Sequence, residues 1–182
     1  MKEQKSYITR SEAISLLKES GCDEKVIKHS IAVSKLALKI AKKLKKKGYN
    51  VNLNFIEIAS LLHDIGRAKT HGIKHGIEGA KILRKRKGFE KFAKVCERHI
   101  GAGIKKEEAS KLGLPKRDFM PKTLEEKVIA HADNLIFYDK EVPIEKTIEK
   151  LKKELGGNHP AISRVESLSR EIDTLISKSK SR

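Results

Sequence analysis

Apolar residues recur at every third or fourth position along this chain, which is the spacing of amphipathic α-helices. The longest such stretch lies between Asp23 and Gly48. Its apolar stripe consists of Val26, Val33, Leu36, Ala37, Ile40 and Leu44. No segment alternates apolar and polar residues over the length of a strand, and no repeat or low-complexity linker interrupts the pattern. The pattern therefore predicts an all-α fold.

Capping signals predict where several helices begin. Thr9–Glu12 and Thr123–Glu126 have the form of capping boxes, Asp23 is an N-cap for the long helix, and Asn52 or Asn54 is the N-cap of the next one. Two further predicted helices include the segments Gly79–Leu83 and Phe92–His99. Four more are predicted to span Ile104–Leu112, Leu124–Ile136, Ile144–Leu155 and Pro160–Ile176. A chain of 182 residues is most simply one domain, so we expect residues 141–182 to be a helical extension packed on residues 1–140.

The charge balance restricts the partners of the protein. Lys and Arg number 41 against 24 Asp and Glu, a net charge of +17. Such a charge favours anionic partners, namely nucleotides, phosphate esters or nucleic acid. We favour a phosphorylated small molecule, because a coat of lysines is the commoner reason for a basic surface and aromatic residues are only 4 %.

Cellular location and assembly are predicted only in outline. Cys22 and Cys96 are far apart in the sequence and form no C-x-x-C motif, so we expect reduced thiols in a cytosolic protein. Residues 1–5 lack the apolar core of a signal peptide, and no apolar run approaches the ~18 residues of a membrane span. We therefore expect a cytoplasmic protein without a membrane partner, and leave its oligomeric state open, a homodimer included.

One polar doublet stands at the end of an apolar helical run, His63-Asp64 in the segment Leu61–Arg67. Burying an unpaired carboxylate there would cost several kcal/mol, and a bound divalent cation removes that cost. Other histidines and an aspartate also lie on the core-facing sides of predicted helices or at helix ends. The full set is His29, His63, Asp64, His75, His99 and Asp133. A common metal centre explains all six together.

The ligand chemistry narrows the choice of metal. Four imidazoles and two carboxylates are too rich in nitrogen for Mg²⁺ or Ca²⁺ and lack the thiolates of structural zinc. Mn²⁺, Fe²⁺, Co²⁺, Ni²⁺ and catalytic Zn²⁺ stay open. Because six ligands are too many for one ion with a free position, we expect two ions bridged by Asp64 and by water or hydroxide, which is a nucleophile at neutral pH.

These residues carry a resemblance to a known family. His29, the adjacent His63-Asp64 and the later Asp133 resemble the H…HD…D signature of the HD-domain metal-dependent phosphohydrolase superfamily, over roughly Lys25 to Tyr138. The resemblance implies an all-α HD-domain bundle for residues 1–140, followed by the C-terminal helices. It also implies that His29, His63, Asp64 and Asp133 bind metal.

Further motifs resemble particular branches of that superfamily. His75-Gly76-x-x-Gly79-Ala80, together with His99 before a glycine turn, resembles the extra histidines of HD enzymes that hydrolyse dinucleoside tetraphosphates. His-Asp-Ile-Gly-Arg resembles the form found in cyclic-dinucleotide phosphodiesterases, although their GYP element is missing. Mononuclear HD nucleotidases carry a glutamate one turn after the doublet, where this chain has Ala68 and Lys69. The overall resemblance is to small archaeal-type HD proteins, and the family does not supply their substrate.

The resulting hypothesis is metal-assisted hydrolysis of a phosphate ester or anhydride in a nucleotide-like substrate. The first ion would be held by His29, His63, Asp64 and Asp133, and the second by Asp64, His75 and His99. Asp64 and Arg67 are the candidate catalytic residues, with the fork of Arg67 gripping a substrate phosphate. The supporting candidates are Lys74, Arg98, His71 and His131, whereas we expect His159 to cap a helix.

Two other classes of function stay open. Some HD-fold proteins use a di-iron pair for oxygen-dependent cleavage of small polyols or phosphonates, and their ligand set would look the same. The other class is a non-catalytic regulatory module that binds metal, nucleotide or nucleic acid. Metal content and activity would distinguish the di-iron oxygenase from a hydrolase. Salt-dependent binding of RNA or DNA tests the regulatory module.

Overall fold

The structure is a computed structural model that describes residues 8–178. Within this range the chain forms nine α-helices, a short 3₁₀ helix at Ile65–Ala68 and one small antiparallel hairpin. The helices are α1 (Arg10–Ser20), α2 (Glu24–Lys46), α3 (Leu53–Leu62), α4 (His75–Arg84), α5 (Glu90–Arg98), α6 (Lys106–Lys111), α7 (Leu124–Asn134), α8 (Ile144–Leu155) and α9 (Pro160–Ser177). The hairpin joins β1 (Ile136–Phe137) to β2 (Lys140–Glu141). The predicted all-α class is confirmed, and the prediction about residues 1–5 lies outside the described residues.

Most of the predicted helix starts are confirmed by their caps. Thr9 and Glu12 exchange both hydrogen bonds of a capping box, and Asp23 accepts from the Val26 amide at 2.8 Å. Asn52, rather than Asn54, caps α3. The second capping box is half formed. Thr123 accepts from the Glu126 amide, but the Glu126 carboxylate accepts from the Lys122 amide instead.

Helix α2 is the central element of the larger core. Its whole predicted apolar stripe is buried, and it packs against α3 and α7, with α9 on the same core. Helix α8 packs on α9. The division of the chain at residue 140 stays a prediction. Over residues 8–178, no helix is long and apolar enough to cross a membrane.

A second core positions the His63-Asp64 segment. It is formed by α1, the start of α2, the end of α3, α4 and α5, and Leu61, Leu62 and Ile65 lie within it with no exposed surface. Apolar side chains therefore surround the polar doublet on both sides along the sequence. The doublet therefore lies in apolar surroundings, where burying an unpaired carboxylate is destabilising.

The prediction for the end of α7 was wrong. The helix stops at Asn134, two residues early, and Ile136 begins the hairpin. Tertiary contacts explain this end, because the Asn134 side chain donates to the Gly101 carbonyl and the Thr147 hydroxyl donates to the Asn134 carbonyl. Helix α6 is also shorter than predicted, since Ile104 instead pairs with Phe119 in an isolated bridge.

Candidate metal centre

The doublet lies where α3 ends. His63 is the C-cap of α3, and Asp64 leads into the 3₁₀ helix. Two buried thiols satisfy carbonyl groups around it: Cys96 Sγ donates to Leu62 O at 3.3 Å and Cys22 Sγ donates to Ile65 O at 3.5 Å. Both cysteines are free, as predicted, although Cys22 follows α1 rather than lying in a helix.

Two glycines bring α4 against the doublet. A Cβ on Gly66 would lie 1.9 Å from the His75 carbonyl oxygen and 2.4 Å from the Gly79 nitrogen. Gly66 is therefore needed for close approach, and its φ is not positive as a glycine-specific turn would require. A Cβ on Gly79 would meet Gly66 N at 3.1 Å and Cys96 Sγ at 3.3 Å, so Gly79 also permits this close approach.

Backbone carbonyls orient all four candidate histidines through Nδ1. Three of them bond the carbonyl of the residue three positions earlier, and the fourth bonds a remote segment. The acceptors are Ser60 O for His63 (2.6 Å), Gly72 O for His75 (2.8 Å), Cys96 O for His99 (2.8 Å) and Tyr138 O for His29 (2.7 Å). A protonated Nδ1 that donates to a carbonyl leaves Nε2 with a lone pair, the state that binds metal.

The Nε2 atoms converge on two carboxylates. In the outer group, His29 Nε2 and His63 Nε2 lie 2.9 and 3.4 Å from Asp133 Oδ1. In the inner group, His75 Nε2 and His99 Nε2 lie 3.2 and 3.4 Å from Asp64 Oδ1. The groups adjoin, because ligand atoms of His63, Asp64 and His99 lie within 4.8 Å of one another, as do those of the outer group. The structure thus brings all six predicted ligands into one cluster.

Two buried atoms of the cluster have no hydrogen-bond partner, His63 Nε2 and Asp64 Oδ1. Buried polar atoms are almost always satisfied, so each orphan needs an explanation. A divalent cation satisfies both, since an imidazole nitrogen and a carboxylate oxygen are ligands of the same first-row metals. The residues present therefore fit a metal ion.

The electrostatics of the cluster favour ionised carboxylates. Burial raises the pKa of Asp64, but His63, His75 and His99 outweigh it and hold that pKa well below its usual range. Burial lowers the pKa of His63, whereas Asp64 and Asp133 raise it, to about 9 in total. A metal ion at His63 would therefore compete with a proton for Nε2.

Access to the cluster is one-sided. The side chains of His29 and Asp133 are 17 and 19 % exposed, whereas that of Asp64 is 2 % exposed. His29, Asp64 and Asp133 line a cavity of about 580 Å³, within the usual range for small-molecule sites. His63, His75 and His99 do not line this cavity, and their side chains are 0, 6 and 2 % exposed. A ligand in the cavity therefore meets His29, Asp64 and Asp133 first.

Among the other predicted residues, Arg67 and His71 line the cavity. Arg67 Nε donates to Asp64 Oδ2 at 2.5 Å, and Arg67 Nη1 donates to the His71 carbonyl at 3.4 Å. Two of the five N–H donors of a guanidinium are thereby used. The predicted role of Arg67 as a phosphate ligand stays a prediction.

The remaining polar candidates lie away from the cluster. Arg98 was predicted to assist at the site, but it forms a buried ion pair with Glu126 at 2.8 Å, which ties α5 to α7. Lys74 borders a separate surface groove. His131 is buried, with Asp173 of α9 as its charged neighbour, and burial lowers its pKa. His159 caps α9, accepting from the Ala161 amide as expected for a capping residue.

Sequence reasoning missed the far wall of the cavity. Phe137 and Tyr138 of the hairpin line it, as do Thr147 and Lys150 of α8. Because α7 was predicted to continue to Ile136, the hairpin that begins at this residue was not predicted. Phe137-Tyr138 holds two of the eight aromatic residues of the chain, and this pair, which begins four residues after the last predicted ligand, was the available signal.

Comparisons with known proteins agree with this geometry. The HD domain family model matches residues 26–137. A protein of Methanocaldococcus jannaschii named "Uncharacterized protein MJ0778" is 53 % identical over 164 residues, covering 90 % of this chain and 96 % of that protein. No solved structure matches the chain significantly.

Two further relatives are each named tRNA (cytidine(56)-2'-O)-methyltransferase. The protein of Picrophilus torridus is 37 % identical and that of Thermoplasma volcanium 39 % identical, in each case over 90 % of this chain. The chain spans only 46 % of the length of either methyltransferase. From the family match and the assembled His29…His63-Asp64…Asp133 cluster, we conclude that this chain belongs to the HD-domain metal-dependent phosphohydrolase superfamily.

Proposed function

We propose that this protein is a phosphohydrolase that uses two divalent transition-metal ions to hydrolyse a phosphate ester or anhydride of a nucleotide-like substrate. The observation that carries the proposal is the convergence of four Nε2 atoms on two carboxylates that line one cavity, with two buried atoms left unsatisfied. A structural role alone would not require six polar side chains in an apolar core.

The ligand division follows the outer and inner groups. His29, His63 and Asp133, with Asp64, would hold the ion on the cavity side. His75 and His99 would hold the inner ion, and Asp64 would be shared between the two. Its two oxygens support this role: Oδ1 lies 3.2 Å from His75 Nε2, whereas Oδ2 lies 3.7 and 3.8 Å from the Nε2 atoms of His63 and His29.

The chemistry depends on the bound ions and on the cavity wall. Two divalent ions supply a water-derived nucleophile at neutral pH and offset charge on the phosphoryl oxygens. Arg67 is held in position by Asp64 and has N–H donors left for a substrate phosphate. Lys25 and Lys150 line the same cavity, where Asp23 and Glu154 offset their charge, so the preference for an anionic ligand rests on Arg67 and the bound ions.

A second candidate substrate is an RNA that carries the phosphate group to be hydrolysed. The names of the two methyltransferase relatives support it, because the matching part belongs to proteins named for a reaction on tRNA. Exposed lysines on α2 support it as well. Lys35, Lys39, Lys42, Lys43 and Lys46 border a groove on the helix that also carries His29. RNA binding through these lysines would weaken steeply as salt rises, which a tRNA gel shift at several salt concentrations measures.

The test of the main proposal combines metal analysis with turnover. Protein purified without chelator is analysed for its metals and then assayed for phosphate release from a nucleotide panel with Mn²⁺, Co²⁺ or Ni²⁺. Asp64→Ala should lower metal content and reduce turnover by more than roughly 100-fold, the most that losing an outer-sphere partner costs. His159→Ala is the matched control and should change neither quantity.

Two outcomes would overturn the proposal. Full activity in Asp64→Ala would remove the metal centre from the mechanism. Oxygen consumption with small polyols or phosphonates by an iron-loaded protein that releases no phosphate from nucleotides would replace hydrolysis with the di-iron oxygenase reaction.

A further inference from the structure

The tip of the hairpin holds a residue in an unfavourable backbone conformation. Tyr138 has φ +58°, and it is the only non-glycine residue with positive φ among residues 8–178. Tyr138 and Asp139 form the two-residue loop between β1 and β2, where positive φ normally selects glycine or asparagine. The tyrosine ring is 85 % exposed, so core packing does not explain the choice of residue. A strained residue retained at a site points to a role there.

The backbone of the same residue supports a candidate metal ligand. The Tyr138 carbonyl accepts from His29 Nδ1 at 2.7 Å, whereas the other three histidines bond carbonyls only three residues away. His29 is therefore the one member of the cluster whose orientation depends on a separate element. The hairpin tip is fixed beside the outer group by this contact.

Two aromatic residues of the hairpin, Phe137 and Tyr138, are among the residues that line the cavity. Lys150 of α8 also lines it, and its Nζ lies 5.6 Å from the centroid of the Phe137 ring, a cation–aromatic contact. Arg67 and His71 line the cavity as well. The cavity thus combines a polar region suited to a phosphate with an aromatic wall.

We infer that Tyr138, with Phe137 beside it, is the platform on which the nucleobase of the substrate stacks while its phosphate lies at the outer group. This inference rests on the proposed function and names the part of the substrate that the cavity recognises. Every nucleobase has a flat π face, and an exposed aromatic ring is the side chain that binds such a face without hydrogen bonding to a particular base. The hydrogen bond from His29 to the Tyr138 carbonyl places the backbone of this residue beside the phosphate site.

The test measures binding rather than turnover. Mn²⁺-loaded wild-type protein is titrated with nonhydrolysable phosphonate analogues of the four common ribonucleoside monophosphates and of ribose 5-phosphate, which has the sugar and phosphate but no base. Tyr138→Ala should weaken nucleotide binding by about 5- to 100-fold, the range found when a stacking aromatic is truncated, and should change ribose 5-phosphate binding by no more than about twofold. Tyr138→Phe keeps the ring and should bind nucleotides like the wild type.

Two controls keep the result interpretable. Tyr138→Gly removes the ring and also relieves the positive φ, so it should lose base discrimination without losing stability. Leu112→Ala changes an exposed apolar side chain that does not line the cavity and should leave every affinity unchanged.

The inference is overturned if wild-type protein binds none of the four nucleotides more tightly than ribose 5-phosphate. It is also overturned if Tyr138→Ala weakens nucleotides and ribose 5-phosphate equally, because the residue would then act only through His29. A protein that binds nucleotides through Tyr138 but releases no phosphate would refute the proposed hydrolysis and leave the platform intact.

Discussion

Gly66 offers the sharpest test of how the metal centre is assembled. In Gly66→Ala the new Cβ would lie 1.9 Å from the His75 carbonyl oxygen and 2.4 Å from the Gly79 nitrogen. Both neighbours are backbone atoms of α4, so no side chain can rotate away to make room. The helix itself must move outward by about 1 Å or more to restore ordinary contact distances. Because His75 is the first residue of α4, that movement takes its imidazole away from Asp64.

The expected loss of stability follows from this clash. Inserting a methylene into a packed core costs about 1 to 3 kcal/mol, and a clash with backbone alone belongs at or just above the top of that range, at about 3 to 4 kcal/mol. For a chain of this size each kcal/mol lowers Tm by about 2 to 4 °C, so we expect a drop of roughly 6 to 16 °C. Bound metal should decrease as well, because the inner group loses its geometry.

The assay is thermal unfolding of the purified variants, followed by elemental analysis. Gly72→Ala is the matched control in the adjoining loop, where the nearest atom to the new Cβ is 3.6 Å away, and its Tm should match that of the wild type. Gly79→Ala is intermediate, because its closest contact is 3.1 Å and alanine favours the helix by about 0.5 to 1 kcal/mol. A Gly66→Ala protein with wild-type Tm and metal content would refute the close packing of α4 on the doublet.

Two further predictions test the surroundings of the site. Arg98→Ala should lower the free energy of unfolding by about 2 to 3 kcal/mol, less than the ~3 to 5 kcal/mol of a fully buried pair, because Glu126 keeps a backbone N–H donor. Urea unfolding measures this loss. The control is Lys81→Ala, at an exposed ion pair, which should cost at most about 0.5 kcal/mol. Equal losses in the two variants would show that the Arg98–Glu126 pair does not stabilise the fold. Burial raises the pKa of Cys22 to about 11 and that of Cys96 further, so both thiols should react with an aromatic disulfide reagent only after unfolding, and rapid reaction of the native protein would show that they are not buried.

Helix positions were predictable where the information is local. The caps at Thr9, Asp23 and Thr123 depend on hydrogen bonds within three residues, and all three were read correctly from the sequence. The end of α7 was not predictable in this way. It depends on contacts of Asn134 with Gly101 and Thr147, which are remote in sequence, and an apolar Leu135-Ile136 continues a helical pattern whether or not the helix does.

The clustering of the six candidate ligands was predictable for a thermodynamic reason. Histidine and aspartate on apolar helix faces are costly unless something compensates them, so their positions alone marked the cluster before any distances were known. The partners of long side chains were not predictable. Arg98 adjoins His99 in the sequence, yet its guanidinium reaches Glu126 on α7, because a long flexible side chain can point to either side of its helix. The aromatic wall was missed with the hairpin that carries it.

The unequal depth of the two ligand groups has a consequence for how the protein acquires its metals. The cavity is lined by His29 and Asp133 but not by His75 and His99, whose side chains are only 6 and 2 % exposed. A cation that enters through this cavity would pass the front position before it reached the rear one. Under the two-ion proposal the rear ion would then be installed first and released last, so brief chelation should strip the protein to a half-loaded state, and full depletion should require either much longer exposure or loosening of the fold.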